Sequence, residues 1–207
     1  MILAAGDSTR MGTDKALLPW PPVPSGHPAV GTFLSAAIES LSPFSEVVIV
    51  VGGKNSALIA PFVYAAGASL VVNPEPERGQ FSSLQVGLQE VLSRGRDASL
   101  VTLVDRPPIQ ARTVTLLCDA FSSALERWKW AVIPETAGKH GHPIVLGREM
   151  IEVFLKAPPT ASAREIEHQY EDHIEYVTVD DTAITVNVNT PEEYSALSAS
   201  RSTSSAD

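Results

Sequence analysis

Glu46-Val47-Val48-Ile49-Val50-Val51 is an almost unbroken apolar run, short and rich in β-branched residues. A strand with one wet face alternates apolar and polar residues. One that is apolar at nearly every position is covered on both faces, as in a parallel sheet between helical layers. Ser69-Leu70-Val71-Val72-Asn73 and Ser99-Leu100-Val101-Thr102-Leu103-Val104 repeat the type. Helical patterns separate them at about 32–41, 54–66 and 80–94, and another follows at about 110–126. This alternation predicts an α/β fold: a doubly wound, mostly parallel, Rossmann-like sheet with right-handed crossovers.

Beyond residue 126 the order loosens into a small mixed C-terminal subregion. Residues 130–134, 143–146, 177–179 and 183–186 read as strands, and 149–155 and 163–169 as helices. A last helix starts at Pro191, which suits a first turn, with Thr190 as its cap. The Ser/Ala-rich residues 198–207 read as a disordered tail, which leaves residues 1–197 as a single domain. Residues 20–28 hold four prolines and a glycine and must form a loop.

The chain between Leu3 and Lys15, Leu3-Ala4-Ala5-Gly6-Asp7-Ser8-Thr9-Arg10-Met11-Gly12-Thr13-Asp14-Lys15, carries the chemistry. Gly6 and Gly12 can turn main-chain N–H groups inward toward one anion. Arg10 offers a planar fork of donors for phosphate oxygens, and Lys15 adds a compact charge. The loop is neither G-x-x-x-x-G-K-[ST] nor G-x-G-x-x-G, and the lack of the latter argues against a dinucleotide-dependent oxidoreductase. The net charge of −9 disfavours nucleic acid as a partner, whereas a small anion needs only a local cluster such as Arg10 with Lys15.

No run approaches the ~20 apolar residues of a membrane span, and no basic segment followed by a long apolar one marks a signal peptide. The single cysteine, Cys118, sits in an apolar helical pattern as filler. Together these give a cytoplasmic expectation.

Two further sites follow predicted strands, where open α/β sheets bind ligands. Asp105, in Val104-Asp105-Arg106-Pro107-Pro108, is either a turn residue or a carboxylate held by a divalent cation. Asn187 and Asn189, in Asn187-Val188-Asn189-Thr190-Pro191-Glu192, either organise a turn or lend carbonyl oxygens to the same cation. In Asn73 to Leu84, Ser82 and Ser83 lie where a strand gives way to a helix, and either cap it or bond a base or ribose. His140 and His142 are spaced like metal ligands on a strand, but no third ligand accompanies them.

The run L-A-A-G-x-S-x-R-M-G-x-x-K, with Ala16-Leu17-Leu18-Pro19 after it, resembles the signature loop of the MobA-like nucleotidyltransferases, most closely that of molybdenum cofactor cytidylyltransferases. The resemblance spans Ile2 to Tyr194 and implies upstream apolar residues, since Met1-Ile2-Leu3-Ala4 is short for a buried first strand. It implies nucleotide contacts from Leu3, Ala4, Ala5, Gly6, Ser8, Gly12, Asn73, Gly79, Ser82 and Ser83. Catalytic roles fall to Arg10, Lys15 and Asp105. Mg²⁺ or Mn²⁺ falls to Asp105 with Asn189, favoured over Asn187. Gly138-Lys139-His140-Gly141-His142-Pro143 and Ala161-Ser162-Ala163-Arg164 resemble acceptor segments, so His142 and Arg164 are the acceptor-binding candidates. Arg106 and Ser162 depart from the family pattern.

The implied reaction moves a nucleoside monophosphate from an NTP to a phosphate monoester and releases pyrophosphate. Ionised phosphate, with a second pKa of about 6, needs no strong base, so positioning and charge neutralisation suffice. CTP is favoured by Ala4-Ala5-Gly6, because guanylyltransferase relatives carry Ala-Gly-Gly there. The N-x-N-T-P-E form of the last motif points instead to GTP. The implied acceptor is molybdopterin, with a molybdoenzyme or its chaperone as a possible partner. A sugar or alcohol phosphate acceptor, and a nucleotide-binding protein without turnover, are the other readings.

Overall fold

The computed structural model describes residues 1–6, 11–22, 30–158 and 160–202, with side chains through residue 197. The strands in chain order are β1 (Ile2–Leu3), β2 (Pro19–Trp20), β3 (Gly31–Thr32), β4 (Ile49–Gly52), β5 (Ser69–Val72), β6 (Ala98–Leu103), β7 (Ala131–Thr136), β8 (Lys139–His140), β9 (Ile144–Gly147) and β10 (Ile174–Thr178). The helices are α1 (Phe33–Leu41), α2 (Ser56–Ala65), α3 (Gln80–Ser93), α4 (Ala111–Leu125), α5 (Arg148–Lys156), α6 (Ala163–Gln169) and α7 (Pro191–Ser202). The main sheet runs β10-β7-β9-β6-β1-β4-β5, with β8 beside β7. The half β6-β1-β4-β5 is parallel, and β9 reverses against both β6 and β7.

Side-chain alternation explains why the strands are apolar throughout. Val48 and Val50 enter one core with Leu34, Ile38, Ile59, Val63 and Leu117 from α1, α2 and α4. Ile49 and Val51 enter the other with Leu84 and Leu88 of α3 and Ile151 and Phe154 of α5. Both faces are therefore dry, as the parallel strands require. Cys118 packs at the margin of the first core.

The C-terminal part departs from expectation in two places. Residues 183–186 are not a strand: Thr182–Thr185 forms a 3-10 turn. Buried Asp181 caps it, accepting from Ala183 N, and also accepts from Gln110 N and Thr113 Oγ1. The Ile184 carbonyl is taken by His142 N and Arg106 Nη1 instead of by a neighbouring strand. These local bonds outweigh the strand preference of Ile184, Thr185 and Val186. Second, α7 continues to Ser202, five residues into the stretch read as a tail. Of the loop at 20–28, Pro21 and Pro22 follow β2, and residues 23–29 lie outside the described residues.

Helix α7 begins as its sequence dictates. Thr190 Oγ1 accepts from Glu193 N, and the Glu193 carboxylate accepts from Asn189 N and Thr190 N. A small third core of Met11, Leu18, Phe33 and Val188, with Tyr194 and Trp20 against it, fastens this end to the first loop.

Candidate active site

The carboxyl ends of β1, β4, β5 and β6 meet at one edge of the sheet. Ala4 N donates to Val51 O, Asn73 N to Gly52 O and Val104 N to Leu3 O, so the ladder continues into the loops. One amide then closes the first loop on itself. Asn55, just after β4, donates through Nδ2 to Ala4 O (2.9 Å) and to Asp14 Oδ2 (2.7 Å). Its Oδ1 accepts from Gly53 N. The two ends of the loop, ten residues apart, are thus pinned to a single side chain. Gly53 must be glycine, since a Cβ there would stand 2.9 Å from the Ala5 carbonyl. Gly12 has φ +68°, in the left-handed region that favours glycine.

Asp14 Oδ1 accepts from Ala16 N and caps the short turn that begins at Lys15. From there Lys15 Nζ donates to Asn189 Oδ1 at 2.8 Å and to Asp105 Oδ2 at 3.3 Å. Val188 N donates to Asp105 O, which joins the last two segments through the main chain. Three of the expected residues, 15, 105 and 189, are therefore one cluster. Val188 is buried, Asn189 half-buried and Asn187 exposed, so the extended segment brings in the second asparagine. Among the described residues no three His, Cys, Asp or Glu side chains converge as a metal cage. Asp105 Oδ1 is buried without a partner, so a mixed set of carboxylate, amide and substrate oxygens fits a divalent cation there.

Lys15 and Asp105 of this cluster line a cleft of about 280 Å³ together with Leu3, Ala5, Gly6, Gly79, Gln80 and Ser83. Buried Ala4 lies behind it. Asn73 does not line the cleft. Its Nδ2 donates to the hydroxyls of Ser82 and Ser83, and its Oδ1 accepts from Glu75 N. Ser82 donates to Gly79 O. These two residues hold the turn before α3, which leaves Ser83 and Gly79 on the surface of the cleft. Ser8 and Arg10 lie outside the described residues.

A second cavity of about 550 Å³ adjoins the first and shares Leu3, Gly79, Gln80 and Leu103 with it. His142 and Arg164 both line it, so the two expected acceptor residues are brought together. Arg106, Arg78 and Glu167 join them. Arg106 Nη1 donates to Ile184 O at 2.6 Å, while its Nε is buried without a partner. Burial pulls the Arg106 pKa down, and neighbouring Asp105 opposes this. His142 is held neutral, its pKa pushed down to about 3 by burial and then by the Arg106 guanidinium. Its Nδ1 is also unpartnered. Gly141 precedes it because a side chain there would run into the Ile184 backbone. His140 points elsewhere: it is stacked on Tyr176 and sits beside Glu135.

Comparison with known proteins follows the same lines. The model of the MobA-like NTP transferase domain matches residues 1–174. Molybdenum cofactor cytidylyltransferase of Escherichia coli K12 is 25% identical over 196 residues, covering 94% of this chain and 92% of that one. Molybdenum cofactor guanylyltransferase of Xanthomonas euvesicatoria is 28% identical over 200 residues, covering 95% and 92%. A Mycobacterium tuberculosis H37Rv protein superposes with TM-score 0.77 at 23% identity, over 95% of both chains. Its manganese complex gives TM-score 0.71 at 20% identity, again over 95% of both. The chain belongs to the MobA-like NTP transferase family, and it is a nucleotidyltransferase.

Proposed function

We propose that the protein transfers a cytidylyl group from CTP to a phosphate monoester acceptor, a molybdopterin, and releases pyrophosphate. The observation that carries this reading is the Lys15–Asp105–Asn189 cluster beside two contiguous cavities. The first cavity suits a nucleotide: its edge carries the glycine loop, and Ser83 offers a hydroxyl beside Gly79. The second suits an acceptor whose phosphate must reach the boundary between the two.

Asp105 and Asn189 would hold a divalent cation, Mg²⁺ or Mn²⁺, which when bound polarises the α-phosphate and offsets its charge. Support comes from the orphaned Asp105 Oδ1 and from the manganese complex of a protein of the same fold. Lys15 would neutralise charge developing on the leaving pyrophosphate, and Arg10, which lies outside the described residues, is the second cation that the sequence offers for this role. An acceptor phosphate is already ionised near neutral pH, so no general base is required. Neutral His142 cannot repel the Arg106 guanidinium, which remains as a cation for the acceptor phosphate.

Ala5 is the feature that favours CTP over GTP, because it lines the cleft at the position where the resemblance puts glycine in guanylyltransferases. The decisive experiment is thermal stabilisation by CTP, GTP, ATP and UTP with Mg²⁺, followed by pyrophosphate release with molybdopterin. A ligand at 100 Kd adds about 2.7 kcal/mol of stability, enough to rank the four. Selective stabilisation by CTP with turnover supports the reading. Selective stabilisation by GTP replaces it with guanylyl transfer. Binding without turnover reduces the protein to a nucleotide-binding partner.

A further inference from the structure

The second cavity contains one acidic side chain that the reaction above does not use. Glu167 lies on α6 and faces both this cavity and an adjoining one lined by His140, Tyr176 and Arg164. Leu3, Gly79, Gln80 and Leu103 are shared with the nucleotide cleft, whereas Glu167 does not line that cleft and is shared instead with the adjoining cavity. No hydrogen bond or ion pair joins it to any described residue, although Arg164 is three residues away on the same helix. Burial pushes its pKa up to about 7, with Arg164 pulling only partly back.

A carboxylate placed this way needs a donor from the ligand. It would repel the acceptor's phosphate, so it serves the other end of the molecule. A cationic ligand group would add to the positive charge of Arg106 and Arg164, while Arg78 is already paired with Glu75. Neutral N–H donors add no charge. The intervening walls are apolar, from Phe81, Leu84, Val101 and Ile144, and accept a flat ring.

We infer that Glu167 is the specificity-determining residue of the acceptor cavity, and that its two oxygens accept the adjacent amide and amino N–H groups on the edge of a fused heterocycle. This rests on reading the cavity as the acceptor site. The edge is that of a 2-amino-4-oxopyrimidine ring, in which N3–H and the 2-amino group point the same way. A carboxylate accepts both together with charge-assisted geometry. A ring with a carbonyl in place of the amino group would set an oxygen against Glu167, and such a site rejects a mismatched edge strongly.

The test is fluorescence titration of the full chain with pterin and with lumazine, which differ in that one group. Wild type should bind pterin at least tenfold more tightly, and E167Q should lose the preference, whereas E167D should keep part of it. Thermal stabilisation of both variants by CTP reports that they are folded and that the nucleotide cleft is intact. Equal binding of the two rings by wild type, binding of neither, or a preference that survives in folded E167Q would each overturn the assignment. Failure of the nucleotide reading would show separately, as loss of nucleotide stabilisation in wild type with the ring preference untouched.

Discussion

The two cavities share a wall and differ in how their polar groups are satisfied. Around the nucleotide cleft Lys15, Asp14, Asn55, Asn73 and Asn189 hold one another, a neighbouring side chain or the backbone, and the orphaned atom is Asp105 Oδ1, where the cation would sit. In the acceptor cavity His142 Nδ1 and Arg106 Nε are buried without partners, and Glu167 stands alone. A cleft whose side chains already hold one another loses little freedom when a triphosphate arrives, so its binding energy goes to geometry. A cavity with unmatched donors and acceptors carries a desolvation cost until a ligand with the complementary pattern enters. The first arrangement favours positioning and the second favours discrimination.

Asp105 lines the nucleotide cleft and its charge acts on Arg106 of the acceptor cavity, so its removal should break the comparison most severely. D105N keeps the shape and removes the charge that pairs with Lys15 and would hold the cation. Pyrophosphate release with CTP and Mg²⁺ should fall by about a thousandfold or more. Full Mg²⁺-dependent turnover in D105N would remove the metal assignment.

K15M acts on one side only. Turnover should fall about a hundredfold through kcat, with the KM for CTP changed much less, since the charge is needed most as pyrophosphate leaves. Steady-state kinetics separates the two constants. A change confined to KM would make Lys15 a binding residue alone.

How much of this was legible in the sequence also divides along the shared wall. The parallel strands announce themselves through continuous apolar runs, and Lys15 and its loop lie within one contiguous motif. The preference for Asn189 over Asn187 came with the family resemblance, and the burial of Val188 between them puts Asn189, not Asn187, beside Lys15. Asn55 and Gly53 were missed. An asparagine near a helix start reads as a turn residue, and only the fold brings it to Ala4 and Asp14. The acceptor cavity draws on residues 78–84, 101–106, 142–144 and 161–167, none forming a local pattern that reveals Glu167. The 3-10 turn at Thr182–Thr185 was misread because Asp181 takes its partners from residues 110 and 113, about 70 positions earlier.

The untied state of the acceptor cavity should be visible without any ligand. His142 has a folded pKa of about 3 against about 6.5 unfolded. Between those values the unfolded chain binds the proton and the folded chain does not, so stability from this residue is lost as pH falls below about 6.5. H142N removes that term. Unfolding by denaturant at pH 7.5 and 4.5 should show wild type losing about 2 kcal/mol more than H142N over the interval. Equal losses would mean that the imidazole is wetter than its surroundings indicate.

The smallest effect concerns a single methyl group and tests whether the tied cleft discriminates at all. Ala5 stands over the gap where Gly53 approaches its carbonyl, so its Cβ cannot move aside without opening the first loop. A5G should therefore widen the cleft locally while leaving Asn55, Asp14 and Lys15 in place. One methyl group in a pocket is worth roughly 10–200-fold in discrimination, and the low end applies because the cleft is open to solvent. The ratio of kcat/KM for CTP over GTP should drop about tenfold, chiefly through a gain with GTP. If the ratio stays fixed, base selection lies elsewhere along the cleft, where Gln80, Ser83 and the Gly79 turn supply polar groups. If CTP activity falls and GTP gains nothing, the methyl supports the loop and does not select the base.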